Sequence, residues 1–163
     1  MDLGAGEYTK KYFSAQRYEL LHTSSRGHSV PIIDGELQKA GAQYCAKNVF
    51  YKDGVFSADI AGAYGCEKLR SLKRSFSFDA DAVYLTDEIE YIGEGSVTER
   101  FIASVEPIKA ADSLRLDDCT LSFDPSLAVP VIKRIDEEDG LCGYIIDFVL
   151  PAKTKKFALT MRI

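Results

Sequence analysis

A two-residue rhythm of apolar and polar side chains, repeatedly broken by turn residues, limits this chain more than any other feature. Phe157, Leu159, Met161 and Ile163 alternate with Ala158, Thr160 and Arg162, the period of a strand with one buried face. Tyr144, Ile146 and Phe148 alternate in the same way with Ile145, Asp147 and Val149. Over residues 71–78, Leu72, Arg74, Phe76 and Phe78 share one face, and Ser71, Lys73, Ser75 and Ser77 the other. Asp79-Ala80-Asp81 then turns the chain, so that residues 82–92 read as the return strand of a hairpin. Gly93-Glu94-Gly95 marks the next turn, before a strand over residues 96–104. Further strands are expected over residues 7–13, 17–22, 29–34, 43–51, 55–60, 113–117, 120–123 and 129–136. Residues 35–42 and 61–69 hint at helical turns, but neither carries an apolar stripe. Nine tyrosines and nine phenylalanines with no tryptophan suit a pleated, half-buried surface. The reading is all-β: one antiparallel β-sandwich domain of about a dozen short strands over residues 1–163.

Bulk chemistry narrows the possible functions. A chain of 163 residues buries enough surface to fold without a disulfide or metal staple. Its formal net charge of −5 argues against nucleic acid, whose binders need a basic footprint to displace counterions from phosphate. No apolar run approaches the roughly 20 residues that span a bilayer, and the first seven residues lack the basic and apolar regions of a signal peptide. A soluble chain with no membrane partner is expected. A cytoplasmic, periplasmic or secreted parent protein would suit it equally. Cys45, Cys66, Cys119 and Cys142 are widely spaced with no C-x-x-C pair, and there are only two histidines. The expectation is free, buried thiols, with no metal site and no cofactor.

The N-terminal third is polar for sandwich strands: Gln16-Arg17-Tyr18-Glu19, His22-Thr23-Ser24-Ser25-Arg26-Gly27-His28, then Asp34-Gly35-Glu36-Leu37-Gln38. Directional donors and acceptors gathered around aromatic rings suit a hydroxyl-rich ligand. On residue types alone, a solvated sheet face with polar turns describes the same stretch at least as well. The acidic runs Asp136-Glu137-Glu138-Asp139, Asp117-Asp118 and Glu88/Glu90 read as solvated turns and faces.

The order and spacing of longer words add to this. Asp2-Leu3-Gly4-Ala5-Gly6-Glu7-Tyr8-Thr9, Tyr12-Phe13-Ser14, Arg17-Tyr18, Ser24-Ser25-Arg26-Gly27-His28-Ser29-Val30-Pro31 and Asp34-Gly35-Glu36-Leu37-Gln38 resemble the C-terminal β-sheet domain of heparinase II/III-like polysaccharide lyases. Asp59-Ile60-Ala61-Gly62-Ala63-Tyr64, the strand with Arg70 and Arg74, and residues 83–88 extend the resemblance to about residue 105, after which it fades. It implies a supersandwich-like domain, the C-terminal part of a longer enzyme whose N-terminal helical toroid is not in this chain. It also implies an acidic, uronate-containing polysaccharide or oligosaccharide bound between the two domains and cleaved by β-elimination.

In that scheme a base takes the proton next to the carboxylate, a neutralising group meets the developing charge, and an acid protonates the departing oxygen. The family's sandwich supplies one histidine to this work, and the matching residue is His28, while the catalytic tyrosine belongs to the toroid. By the same resemblance Arg17, Tyr18, Gln38 and Tyr64 are substrate-binding candidates. Arg17 has an alternative role, pairing with Glu19 or Asp34 across strands. His22 reads as a packed or hydrogen-bonded sheet residue. Some family members hold a metal in the sandwich, but Val30 stands two residues after His28 and histidines are too few. An isolated chain of this kind is expected to have little or no activity, and a non-catalytic carbohydrate-binding or structural sandwich is the alternative.

Overall fold

The computed structural model describes Leu3, residues 8–136 and residues 142–163. Among these residues, twelve strands pair antiparallel in two sheets. They are β1 (Ile32–Ile33), β2 (Lys47–Lys52), β3 (Val55–Asp59), β4 (Leu69–Phe78), β5 (Ala82–Tyr91), β6 (Val97–Ala103), β7 (Ile108–Lys109), β8 (Ser113–Leu116), β9 (Cys119–Phe123), β10 (Val131–Asp136), β11 (Cys142–Val149) and β12 (Lys156–Arg162). The smaller sheet runs β1-β6-β11-β10, and the larger runs β2-β3-β4-β5-β12-β9-β8-β7. The expected all-β sandwich is therefore what the chain forms.

Alternation decides which side chains meet between the sheets. Val97, Phe101, Ile146 and Phe148 face inward from the smaller sheet, against Leu72, Leu85, Ile89, Leu121, Phe123, Phe157 and Leu159 from the larger. Phe148 is fully buried, with ring centroids 5.1 Å from Phe123, 5.4 Å from Phe157 and 6.0 Å from Phe101. Burying a side chain of this size contributes roughly 1.5–3 kcal/mol. The β4–β5 hairpin turns where the sequence predicts. Asp79 Oδ1 accepts from the backbone N–H of Asp81 and Ala82 at 3.0 and 2.9 Å, and Tyr84 donates to Asp79 Oδ2 at 2.8 Å.

The smaller sheet is also partly covered on its outer face. Leu21 and Leu3 pack against Ile102, Ile135 and Ile145 on its outer side. The N-terminal stretch thus lies across this sheet instead of joining it, which corrects the strand expected over residues 17–22. That stretch forms short 3-10 turns at Ala15–Glu19, Leu21–Thr23 and Ser25–Gly27. Its hydroxyls explain why. Ser14 Oγ caps the first turn by accepting from Gln16 N at 3.1 Å, while Thr23 and Ser24 donate to the Leu20 carbonyl at 3.2 and 3.3 Å. Such local bonds compete with a sheet ladder.

Other boundaries shift too. Residues 8–13 form no strand, and residues 2, 4–7 and 137–139 of the motifs above lie outside the described residues. The strand expected over residues 29–34 shrinks to β1, residues 35–42 contain no helical turn, and residues 61–69 contain only a 3-10 turn at Ala61–Ala63. Phe78 is 55% exposed and so leaves the buried face it was expected to share. Glu88 and Glu90 face outward, 3.5 Å from Lys73 and 3.8 Å from Arg70. The cysteines are free, as expected, but Cys45 and Cys142 are exposed and Cys66 and Cys119 half-buried, which corrects the expectation of buried thiols. No helix among the described residues is long and apolar enough to cross a membrane.

Candidate functional site

His28 follows the third 3-10 turn in extended conformation, with φ −121° and ψ 158°. Gly27, just before it, is buried, and a Cβ there would stand 2.5 Å from the Leu21 carbonyl oxygen. The chain can therefore pass this close to the preceding turn only without a side chain, a steric demand that Gly27 meets. Beyond His28 the backbone enters the sandwich at the fully buried Pro31, whose carbonyl accepts a 2.6 Å bond from the Tyr64 hydroxyl.

The half-buried His28 looks into an open groove of about 730 Å³. Tyr18, Thr23, Ser24, Ser25 and Val30 form one side with it, and Leu37, Gln38, Lys39 and Ala40 form the other. Two backbone bonds hold the second side in place. Gln38 N donates to Ser25 Oγ at 2.9 Å, and Lys39 N donates to the Ala63 carbonyl at 2.9 Å. Among the described residues, Lys39 and His28 are the basic groups of this lining, and none of them is a carboxylate. Hydroxyl, amide and imidazole groups beside apolar patches and an exposed tyrosine provide the directional bonding a sugar requires.

The five residues singled out from the sequence fall in three places. His28, Tyr18 and Gln38 meet at the groove. Arg17 stands behind it, its guanidinium carbon 5.3 Å from the Tyr12 ring and 5.5 Å from the Tyr18 ring, so that it supports Tyr18 through cation–π contact. Neither expected partner of Arg17 pairs with it. Glu19 lies 3.1 Å from Lys11, and Asp34 Oδ1 accepts from Ser96 N at 2.7 Å.

Tyr64 corrects its expectation outright. The residue is fully buried, so its ring offers no face to a ligand. Burial pushes its hydroxyl far up from the ordinary tyrosine range, keeping it a donor to Pro31. Gln38 Nε2 donates weakly to it at 3.4 Å. Tyr64 thus supports the groove from beneath. His22 is buried and packed, as expected, with its ring 5.9 Å from Tyr12 at an interplanar angle of 13°, but it lies in a 3-10 turn instead of a strand.

The sequence reading missed what lies underneath. Arg74 on β4 and Asp87 on β5 are directly paired in register and both buried. Arg74 Nε lies 2.9 Å from Asp87 Oδ1, and Nη2 lies 2.6 Å from Oδ2. Nη2 also donates to Glu99 Oε2 at 2.9 Å, across to β6 in the other sheet. Nη1 donates to the Ser29 carbonyl at 2.9 Å, one residue past His28. Burial, and then the Asp87 charge, raise the Glu99 carboxyl well above the ordinary range, against the opposing effect of Arg74. Glu99 Oε1 is buried without a hydrogen bond among the described residues, a position that disfavours the charged form of a carboxylate.

A second pair sits on the outer side of the smaller sheet. Arg100 on β6 and Asp147 on β11 are also in register and joined by two bonds of 2.8 and 2.7 Å. Arg100 Nη1 donates to the Arg26 carbonyl at 3.0 Å, two residues before His28. A signal for the inner group existed in the sequence. Arg74, Asp87 and Glu99 each occupy an inward position between apolar residues, namely Leu72 and Phe76, Leu85 and Ile89, and Val97 and Phe101. A charge in such a position survives only with a partner.

The same two-sheet fold occurs in other solved structures. Among solved structures, the heparan sulfate lyase HepC from Pedobacter heparinus shares it with a TM-score of 0.67 and 11% identity, over 99% of this chain and 28% of that one. A mutant of the same lyase matches with a TM-score of 0.66 and 12% identity, and a heparinase III gene product with 0.64 and 12%. The resemblance read from the sequence is thus borne out at the level of fold. The structural likeness runs through nearly the whole chain, and the chain spans about 28% of the length of the HepC structures. No protein-family model and no curated protein matches the sequence.

Proposed function

We propose that this chain is the β-sandwich part of a polysaccharide lyase acting by β-elimination on a uronic-acid-containing polysaccharide, with the groove as one wall of its substrate cleft. His28 is the sandwich's catalytic group in this reading, and Tyr18 and Gln38 bind substrate beside it. A helical toroid facing the groove supplies the other wall and the remaining acid–base groups. The observation that carries the reading is the meeting of His28, Tyr18 and Gln38 on one open groove in a chain with the fold of a lyase segment.

The chemistry is consistent with that division. The proton beside a uronate carboxylate is weakly acidic, so its removal needs preorganised groups around the developing charge. One imidazole on one wall cannot provide the whole set, because the groups must be held together around the substrate. The described lining, with one lysine among its residues, suits sparse carboxylate charge better than dense sulfate. An unsulfated uronate polymer is therefore the preferred substrate class.

The test follows the unsaturated product by its absorbance, with an unsulfated uronate polymer and heparan sulfate as parallel substrates. The chain alone is expected to form no product, whereas the protein containing both domains forms it fastest from the unsulfated polymer. In that protein His28→Ala lowers turnover about a hundredfold or more with folding intact. Product from the chain alone contradicts the two-wall reading. Unchanged turnover in folded His28→Ala removes the role of His28, and faster cleavage of heparan sulfate reverses the substrate preference.

A further inference from the structure

The two arginine–aspartate pairs share a geometry that their ion pairing does not require. Each arginine spends two guanidinium nitrogens on its cross-strand aspartate and aims the third at a backbone carbonyl of the His28 segment. Arg100 takes the Arg26 carbonyl from the outer side of the smaller sheet, and Arg74 takes the Ser29 carbonyl from between the sheets. The neighbouring residues Glu99 and Arg100 on β6 face opposite ways, as successive strand residues must. One meets the inner arginine, and the other is the outer arginine. Ser29 Oγ accepts a further bond from the Ile102 N–H of the same strand at 3.1 Å. Carbonyls on both sides of His28 are therefore tied to rigid strands, although the segment itself belongs to no sheet.

We propose that Arg74 and Arg100 form a two-sided clamp on residues 26–29 that positions the His28 imidazole at the groove. Both are positioning residues that act through the backbone and do not touch the ligand. The inference rests on the reading of His28 as the groove's working residue. Arginine suits the task because its planar fork carries donors in several fixed directions, while an ammonium group is a single point. Lysine at either position keeps the charge opposite aspartate but cannot hold both the carboxylate and the distant carbonyl.

The experiment compares Arg74→Lys, Arg100→Lys and a Glu99→Gln control by amide hydrogen exchange and by the NMR signals of the His28 ring. In both lysine variants the His28 ring signal moves, and the His28 and Val30 amides exchange about tenfold faster relative to Ile146 in the core. Glu99→Gln leaves both unchanged, because Arg74 keeps Asp87 and Ser29. Folded lysine variants with an unaltered His28 ring and an unaltered 28–30 segment overturn the clamp. Should Arg74→Lys fail to fold, the wild-type chain decides its half. Slowly exchanging Arg74 Nη1 protons with scalar coupling to the Ser29 carbonyl carbon support it, and a freely exchanging Nη1 contradicts it.

An unsulfated uronate oligosaccharide added to the wild type separates this inference from the functional one. If no sugar binds but the lysine variants disturb His28, the clamp stands and the lyase reading fails. If the sugar binds in the groove and His28 is undisturbed in the lysine variants, the lyase reading stands and the clamp fails.

Discussion

The Arg74 and Arg100 pairs are chemically alike but differ in burial, most of all at the aspartate. Both join an arginine and an aspartate directly across antiparallel strands, and both reach a carbonyl near His28. Arg74 and Asp87, however, have side chains 8% and 0% exposed, whereas Arg100 and Asp147 are 12% and 22% exposed on the sheet face that the N-terminal turns cover in part. The inner group also contains a third ionisable member, Glu99, and the outer pair does not. Desolvation is what separates them. An inner charge left without its partner has no water to turn to, while an outer one keeps partial access.

The largest difference should appear when each arginine loses its charge. Arg74→Met leaves Asp87 buried and uncompensated, with an expected loss of about 3–5 kcal/mol in denaturant unfolding. Arg100→Met should cost less, about 1–2 kcal/mol, because Asp147 keeps partial access to water. Comparable losses at the two sites would end the contrast.

The pH response tests the same contrast through Glu99. Its folded carboxyl is raised above the unfolded value, so the folded chain holds a proton that the unfolded chain has released. Its contribution to stability is fully present below the ordinary glutamate range and is lost as pH rises toward the raised value. Wild type should therefore lose stability relative to Glu99→Gln by up to about 1.4 kcal/mol per pH unit within that window. Unfolding midpoints of the two proteins across the window check it, and parallel curves refute it. Tyr64→Phe, which removes the donor to the Pro31 carbonyl in the same interior, should cost about 1 kcal/mol in unfolding.

These experiments probe a region whose fold was easier to read than its chemistry. Strands β4, β5, β11 and β12 follow from period-two alternation and turn residues, because each buries one face against the facing sheet. The N-terminal turns do not show as such in the sequence because Arg17, Tyr18 and Glu19 mimic strand composition, while the local bonds of Ser14, Thr23 and Ser24 that curl the chain leave no period to read. Tyr64 was misplaced for a related reason. A tyrosine in a Gly-flanked loop reads as exposed, and only the fold shows its hydroxyl ending on the Pro31 carbonyl. The inner charge group was visible as three charges in inward positions, but their convergence depends on bringing β6 of one sheet opposite β4 and β5 of the other.

The smallest expected effect on stability lies in the groove itself. His28→Ala should change unfolding free energy by no more than about 0.5 kcal/mol, since the residue is half-buried at the edge of an open groove and outside the packed core.

The most direct test of the central claim is an NMR titration of the isotope-labelled chain with an unsulfated uronate oligosaccharide. Saturable shifts of the His28 ring, Tyr18 and Gln38 are predicted, with no comparable change at the groove lined by Tyr91, Pro151 and Lys153 and about tenfold weaker binding to His28→Ala. A spectrum unmoved at those three residues, or shifts centred elsewhere on the sandwich, would contradict it.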